Sequence, residues 1–154
     1  MFGRACNSVR PLAFSGNPND VIYQEKDLPQ SANIPEEAAS RSATVSKATI
    51  RAARLLGLTN SALATILGLS EPTISRLSSA SYRLEPGSKP YELALLLIRL
   101  FRSLDAMVGG EPQAMRSWMR SQNRALEGIP SERIRSVTGL VEAVAYVDSA
   151  RARI

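Results

Sequence analysis

The chain has 154 residues, 44% apolar and 21% charged, with 19 Lys and Arg against 14 Asp and Glu, for a formal net charge of +5. It holds one cysteine and no histidine. That excludes Ser-His-Asp and Cys-His catalysis, His-ligated zinc, a thiolate metal cluster and an intrachain disulfide.

Length fits one domain or two small ones. The composition favours a cytoplasmic binding protein over an enzyme, with no cofactor and no metal. The longest aliphatic run, Leu93 to Ile98, is too short to cross a bilayer. Arg4, Asn7 and Arg10 interrupt the apolar stretch that a secretory signal needs. Sixteen of the 19 cations are arginines. Arginine suits forked contacts with phosphate or carboxylate, and equally it replaces lysine in chains from GC-rich genomes. Net charge is zero over residues 1–34, +2 over 35–87 and +3 over 88–154. This balance is compatible with a nucleic-acid partner but does not define one.

Residues 1–34 show no sustained period, and Pro11, Pro18, Pro29, Gly3 and Gly16 break any helix. The expectation is a flexible arm. Within it Val21, Ile22 and Tyr23 form a candidate strand or docking segment, and Cys6 is expected to be inert. From Pro35, followed by Glu36 and Glu37, the pattern is helical. A helix, with a possible break at residues 42–44, runs to Leu56 and stops at Gly57. Thr59 or Asn60 caps a second helix, which carries Leu63, Ile66 and Leu67 on one face and ends at Gly68. Ser70 caps a third, with Glu71 and Pro72 in its first turn.

Ser88 caps a long helix with Pro90 early in it. Its exposed stripe holds only Glu92, Arg99, Arg102 and Asp105 or Ala106. A helix apolar nearly all round belongs in the centre of a bundle or at a subunit interface. Gly109 and Gly110 close it. Residues 111–126 read as a further helix, with Met115, Trp118, Met119 and Gln122 inward and Arg116, Arg120 and Arg124 outward. Gly128 and Pro130 mark a turn, and Ser131 opens a short helix bearing Ile134. Thr138 opens the last helix, with Leu140, Val141, Val144 and Val147 on its buried side. Trp118 reads as core and Asn123 as a turn residue. The pattern gives no convincing strand, so the fold class is all-α. The pattern divides the chain into a 1–34 arm, a 35–87 helical unit and an 88–154 helical unit.

The informative stretch is NSALATILGLSEPTISRL, residues 60–77. A helix-turn-helix needs a small residue where its helices cross and a turn residue that tolerates positive φ. It also needs apolar residues at fixed offsets. Leu63, Ala64, Leu67, Gly68, Leu69, Ile74 and Leu77 fill all of these positions. In this motif the second helix enters the major groove. That makes Ser70, Thr73, Ser75 and Arg76 candidate base-edge or phosphate contacts, with Arg51 and Arg83 as candidate backbone contacts beside Arg41 and Lys47. Thr73 and Ser75 fit a solvated surface equally well. A plain αα-hairpin is the structural alternative.

The two halves together resemble antitoxins of the Xre/MbcA/ParS type. The first half carries LATILGLSEPTISRL. The second carries Trp118-Met119, Asn123, Ala125-Leu126, Gly128, Pro130 and Thr138-Gly139-Leu140, then Val144 and Val147. Gln122 stands where a proline commonly precedes the asparagine, and Glu127 replaces the first glycine of a pair. The resemblance covers residues 45–154. It implies an Xre-like helix-turn-helix followed by a small helical toxin-binding bundle. The implied partner is a RES-type toxin that degrades NAD, and the antitoxin would block its active site and repress their shared operon. Arg151, Arg153 and Ile154, the end such antitoxins push into the toxin pocket, become candidate toxin contacts, with Tyr146 beside them. A pocket built for the pyrophosphate of NAD attracts anions or is lined by groups an arginine engages, and a guanidinium there pairs with catalytic carboxylates or blocks the phosphate subsite. Without the resemblance, this end reads as a frayed terminus. Implied partners are therefore the toxin, operator DNA and a second copy in a homodimer, with no membrane. Two other readings stay open: a free-standing regulator with a dimerising bundle, and a protein-binding module whose helix-turn-helix does not bind DNA.

Overall fold

The computed structural model describes residues 34–152, with side chains from Glu36 onward. The expected arm, its Val21–Ile22–Tyr23 segment and Cys6 lie outside them, as do Arg153 and Ile154. Seven helices follow in order: α1 (Ile34–Leu56), α2 (Asn60–Leu67), α3 (Glu71–Ser78), α4 (Lys89–Met107), α5 (Pro112–Arg120), α6 (Pro130–Arg133) and α7 (Val137–Arg151). Among the described residues there is no strand, only an isolated bridge between Asn123 and Gly128. The fold is all-α, as the periodicity predicts. No described helix is long and apolar enough to cross a membrane.

Helix α1 runs unbroken through residues 42–44, where a break was possible. Thr44 and Thr49 turn their hydroxyls back onto the carbonyls four residues earlier, at 3.0 and 2.7 Å. Ser42 and Ser46 are buried for another reason. Ser42 Oγ donates to the Leu84 carbonyl at 2.6 Å, and the Leu84 N–H donates to Ser46 Oγ at 2.9 Å. Two serines one turn apart therefore satisfy both backbone groups of a fully buried leucine beyond α3. In α4, Ala94, Leu97, Leu100 and Leu104 are fully buried, and the helix packs on α1, α2, α5 and α7. Of the two places open to it, α4 takes the centre of its own bundle. One continuous core joins residues from α1 through α7.

Several expectations are corrected downstream. The helix from residue 111 ends at Arg120, not 126, and Gln122 is exposed. Asn123 closes the following turn: its Oδ1 accepts from the Ala125 and Leu126 N–H groups at 2.9 and 3.2 Å, and its backbone pairs with Gly128 in both directions. Glu127 in this turn sits at φ 50, a left-handed conformation that costs a non-glycine residue on the order of 1 kcal/mol. Ser136, not Thr138, caps α7 by accepting from the Gly139 N–H, and α6 begins at Pro130 rather than Ser131. Finally, Val141 is 47% exposed, and Val137 one turn before it is 60% exposed. The buried side of α7 is Gly139, Leu140, Ala143, Val144 and Val147, so this helix is apolar outside as well as in.

Candidate functional site

The helix-turn-helix forms as two rods. Thr59 caps α2 by accepting from the Ala62 N–H at 3.1 Å. After α2 the chain reverses at Gly68, φ 66, where the Leu69 N–H reaches back to the Ala64 carbonyl at 2.9 Å. This is the six-to-one bond of a left-handed helix stop. A Cβ at Gly68 would meet nothing within 4 Å, so glycine is needed there for its backbone freedom and not for space. Leu63, Ala64, Leu67, Ile74 and Leu77 are buried, and Leu69 packs against the same core.

Ser70 caps α3 by accepting from the Thr73 N–H. It also shares a 2.8 Å hydrogen bond with the Thr73 hydroxyl, to which Arg76 Nη2 donates at 3.4 Å. Ser70, Thr73 and Arg76 thus form one chain along α3. Thr73 is half-buried, while Ser75 and Arg76 are exposed. Arg76 is held by two long bonds, the second to the Pro72 carbonyl at 3.4 Å, which a phosphate or guanine edge can replace at little cost. The exposed side of α3 carries one carboxylate, Glu71, and one cation, Arg76. After α3 the backbone turns at Ala80, φ 59, and Arg83 is exposed just before the anchored Leu84. Arg51 is exposed on α1, in a cleft that Leu77 and Ser78 of α3 also line. Arg41 instead pairs with Glu37 at 3.1 Å.

At the other end of the molecule α7 is fastened to α4. Asp148 accepts from Ser103 Oγ at 2.5 Å and from Arg99 Nε and Nη2 at 2.8 and 2.7 Å. The Ser103 hydroxyl first, and Arg99 after it, hold the Asp148 carboxyl below the usual aspartate range, against the opposing effect of its partial burial. An aspartate in the last turn of a helix opposes the helix dipole. That unfavourable placement, one residue after the buried Val147, is the signal in the sequence that could have marked it. Because the folded value is depressed, this contact stabilises the fold above the unfolded aspartate pKa and is lost as pH falls through the folded one. The expected result is a melting-temperature gap between wild type and Asp148→Asn that is constant from pH 7 to about pH 5 and shrinks below about pH 4. A gap unchanged at pH 3 would show that the charge does not matter.

Arg151 lies beyond this clamp, exposed, in a cleft of about 400 Å³ with Leu95, Ile98 and Arg102. Tyr146 is elsewhere: half-buried, its ring stacked on Trp118 with centroids 6.3 Å apart, beside Glu142 and the 125–127 turn. Five residues of helix rotate by about 140°, so the fold does not bring Tyr146 and Arg151 to one face. Two further arginines have roles the sequence did not disclose. Arg116, expected outward, extends along Gly57 and donates to the Arg54 and Leu55 carbonyls at the end of α1. Arg133 pairs with Glu142 at 2.7 Å and lays its stem on Gly128.

Two rods crossing at a small residue, with a polar outer side on the second, define a helix-turn-helix protein with an appended helical domain. The family model of the antitoxin Xre-like helix-turn-helix domain matches residues 35–99, and that of the antitoxin Xre/MbcA/ParS C-terminal toxin-binding domain matches residues 103–153. The chain belongs to the Xre-type antitoxins. No curated protein matches it.

Proposed function

We propose that this antitoxin neutralises a NAD-degrading RES-type toxin by occluding its active site with the C-terminal end. It also represses its own operon through α3, and has no chemistry of its own. The observation that carries this reading is the presence of both family halves, in order, on one core. The α7 end supports it: Asp148 fixes the last turn, so that Arg151 is presented from an anchored base; Arg153 and Ile154 follow it in the chain as the further candidate contacts. On the DNA side Ser75 and Arg76 face outward, Ser70 and Thr73 brace Arg76, Arg51 lines the cleft beside Ser78, and Arg83 is exposed after α3. Tyr146 contributes to the toxin interface through its cleft, apart from the tip. The protein acts in the cytoplasm, where operator and NAD are found.

It works as a homodimer. Part of the apolar girth of α4 is taken up by its own bundle, but Leu95 stays 45% exposed. What argues for the dimer is the near absence of net charge on the outer side of α3, which leaves a single copy with little affinity, together with the two-fold symmetry of most operators.

The test is co-expression with the neighbouring open reading frame while intracellular NAD is followed. Removal of residues 151–154 is expected to release NAD loss and growth arrest while operator binding persists. Arg76→Ala is expected to do the reverse, weakening operator binding by about 1–3 kcal/mol with neutralisation intact. A neighbour that is harmless alone and never co-purifies with this chain sinks the reading.

A further inference from the structure

A helix whose outer side carries only Glu71 and Arg76 cannot hold a polyanion by itself, so the attraction has to come from elsewhere on the surface. Lys47, Arg51 and Arg54 stand on α1 at spacings that place them on one stripe. All three are exposed, and none is in an ion pair among the described residues. They rim a cleft of about 530 Å³ that no carboxylate lines, with an apolar floor and, across from them, Ser78 of α3. With Ile74 and Leu77 buried, helical rotation turns Pro72, Ser75, Arg76 and Ser79 outward. Ser78 then falls on the flank between that outer side and α1. A groove occupied by the outer side of α3 has one of its two phosphate walls on this flank. From Lys47 to Arg54 the stripe rises about 10 Å, and a strand of duplex carries a phosphate about every 3.4 Å of axis. The stripe therefore spans about three consecutive phosphates.

We infer that Lys47, Arg51 and Arg54 form a phosphate rail that grips one strand of duplex DNA beside α3, setting position and affinity without reading sequence. This rests on the DNA-binding reading above and extends it to α1. The rail explains how so sparsely charged a recognition helix would be used.

The experiment titrates the full chain against a labelled 30-base-pair duplex of arbitrary sequence, from 50 to 200 mM salt, by fluorescence anisotropy. In K47A/R51A/R54A the slope of log Kobs against log salt is expected to shrink by about 2.7, at about 0.9 per phosphate released. A charge-matched control, R102A/R124A/R135A, removes three exposed arginines of the C-terminal half and is expected to keep the wild-type slope. Circular dichroism of both variants confirms equal helicity. A rail variant with the wild-type slope overturns the inference, and so does an equal reduction in both variants, which would report net charge alone. Wild-type protein that binds no duplex at any salt would instead remove the DNA-binding reading itself, and the rail with it.

Discussion

Gly139→Ala is expected to destabilise the protein by about 3 kcal/mol, at or beyond the upper end of ordinary overpacking, and to lower its melting temperature by about 10 °C. A Cβ on Gly139 overlaps the Arg133 carbonyl oxygen, and the carbonyl carbon behind it is 2.7 Å away. That obstacle is backbone, fixed by the short helix α6 and by the Ser136 cap, whose N–H and hydroxyl both donate to the same carbonyl. The first turn of α7 would have to lift from α6, carrying Leu140 and Ala143 out of the core. Gly128→Ala is the discriminating comparison. There a Cβ meets only the stem of Arg133, at 3.1 and 3.2 Å, a flexible side chain that can shift, and the expected cost is under about 1 kcal/mol. Thermal melts of the two variants side by side decide the matter, and equal losses would refute the close-approach argument.

The paired change Ser42→Ala and Ser46→Ala is expected to cost about 2–5 kcal/mol in urea unfolding. It strands the N–H and the carbonyl of Leu84, each buried and each losing its only hydroxyl partner. A buried backbone group without a partner costs about 1–3 kcal/mol. Native-state hydrogen exchange adds a residue-specific readout: the Leu84 amide should lose its protection first. Ser40→Ala, on the exposed side of the same helix, is expected to change stability by less than about 0.5 kcal/mol. Release of Leu84 also frees the segment bearing Arg83, so on the proposed DNA-binding reading operator affinity is expected to fall together with stability. Intact Leu84 protection in the double variant would show that the serines are dispensable.

Features governed by local chemistry were legible from the sequence. Gly68, Ser70, Pro72 and Ser88 each announce a helix boundary by what their backbone or hydroxyl can do, and the boundaries fall there. The buried positions of the helix-turn-helix follow from spacing alone. What escaped depends on a partner far away in the chain. Ser42 read as part of a weak spot in α1, and Ser46 carried no signal, because their partner, Leu84, is about forty residues on. Arg116 reads as solvated until the end of α1 is placed beneath it. Val141 occupies a position that periodicity assigns to the inside, but α7 is apolar on both sides, and no pattern could choose between them. Ala80 and Glu127 adopt left-handed conformations that their side chains disfavour; Gly128 marked the second turn, but nothing in the sequence marked the turn at Ala80. The candidate site divides in the same way. The exposure of Ser75 and Arg76 on α3 was readable from its spacing, whereas the Arg54 cleft and the Asp148 clamp required the packing of α1 and α4.

The two family domains meet within α4, between residues 99 and 103, in the middle of an uninterrupted helix embedded in the shared core. The helix-turn-helix and the toxin-binding domain are therefore joined by a strut, with no hinge between them. Rotating one end turns the other through the same angle. On the proposed function, the phase and spacing of copies along an operator would then dictate where their bound toxins stand and whether neighbours collide. A single residue inserted into α4 would turn its two ends by about 100° relative to each other and scramble that arrangement at its source.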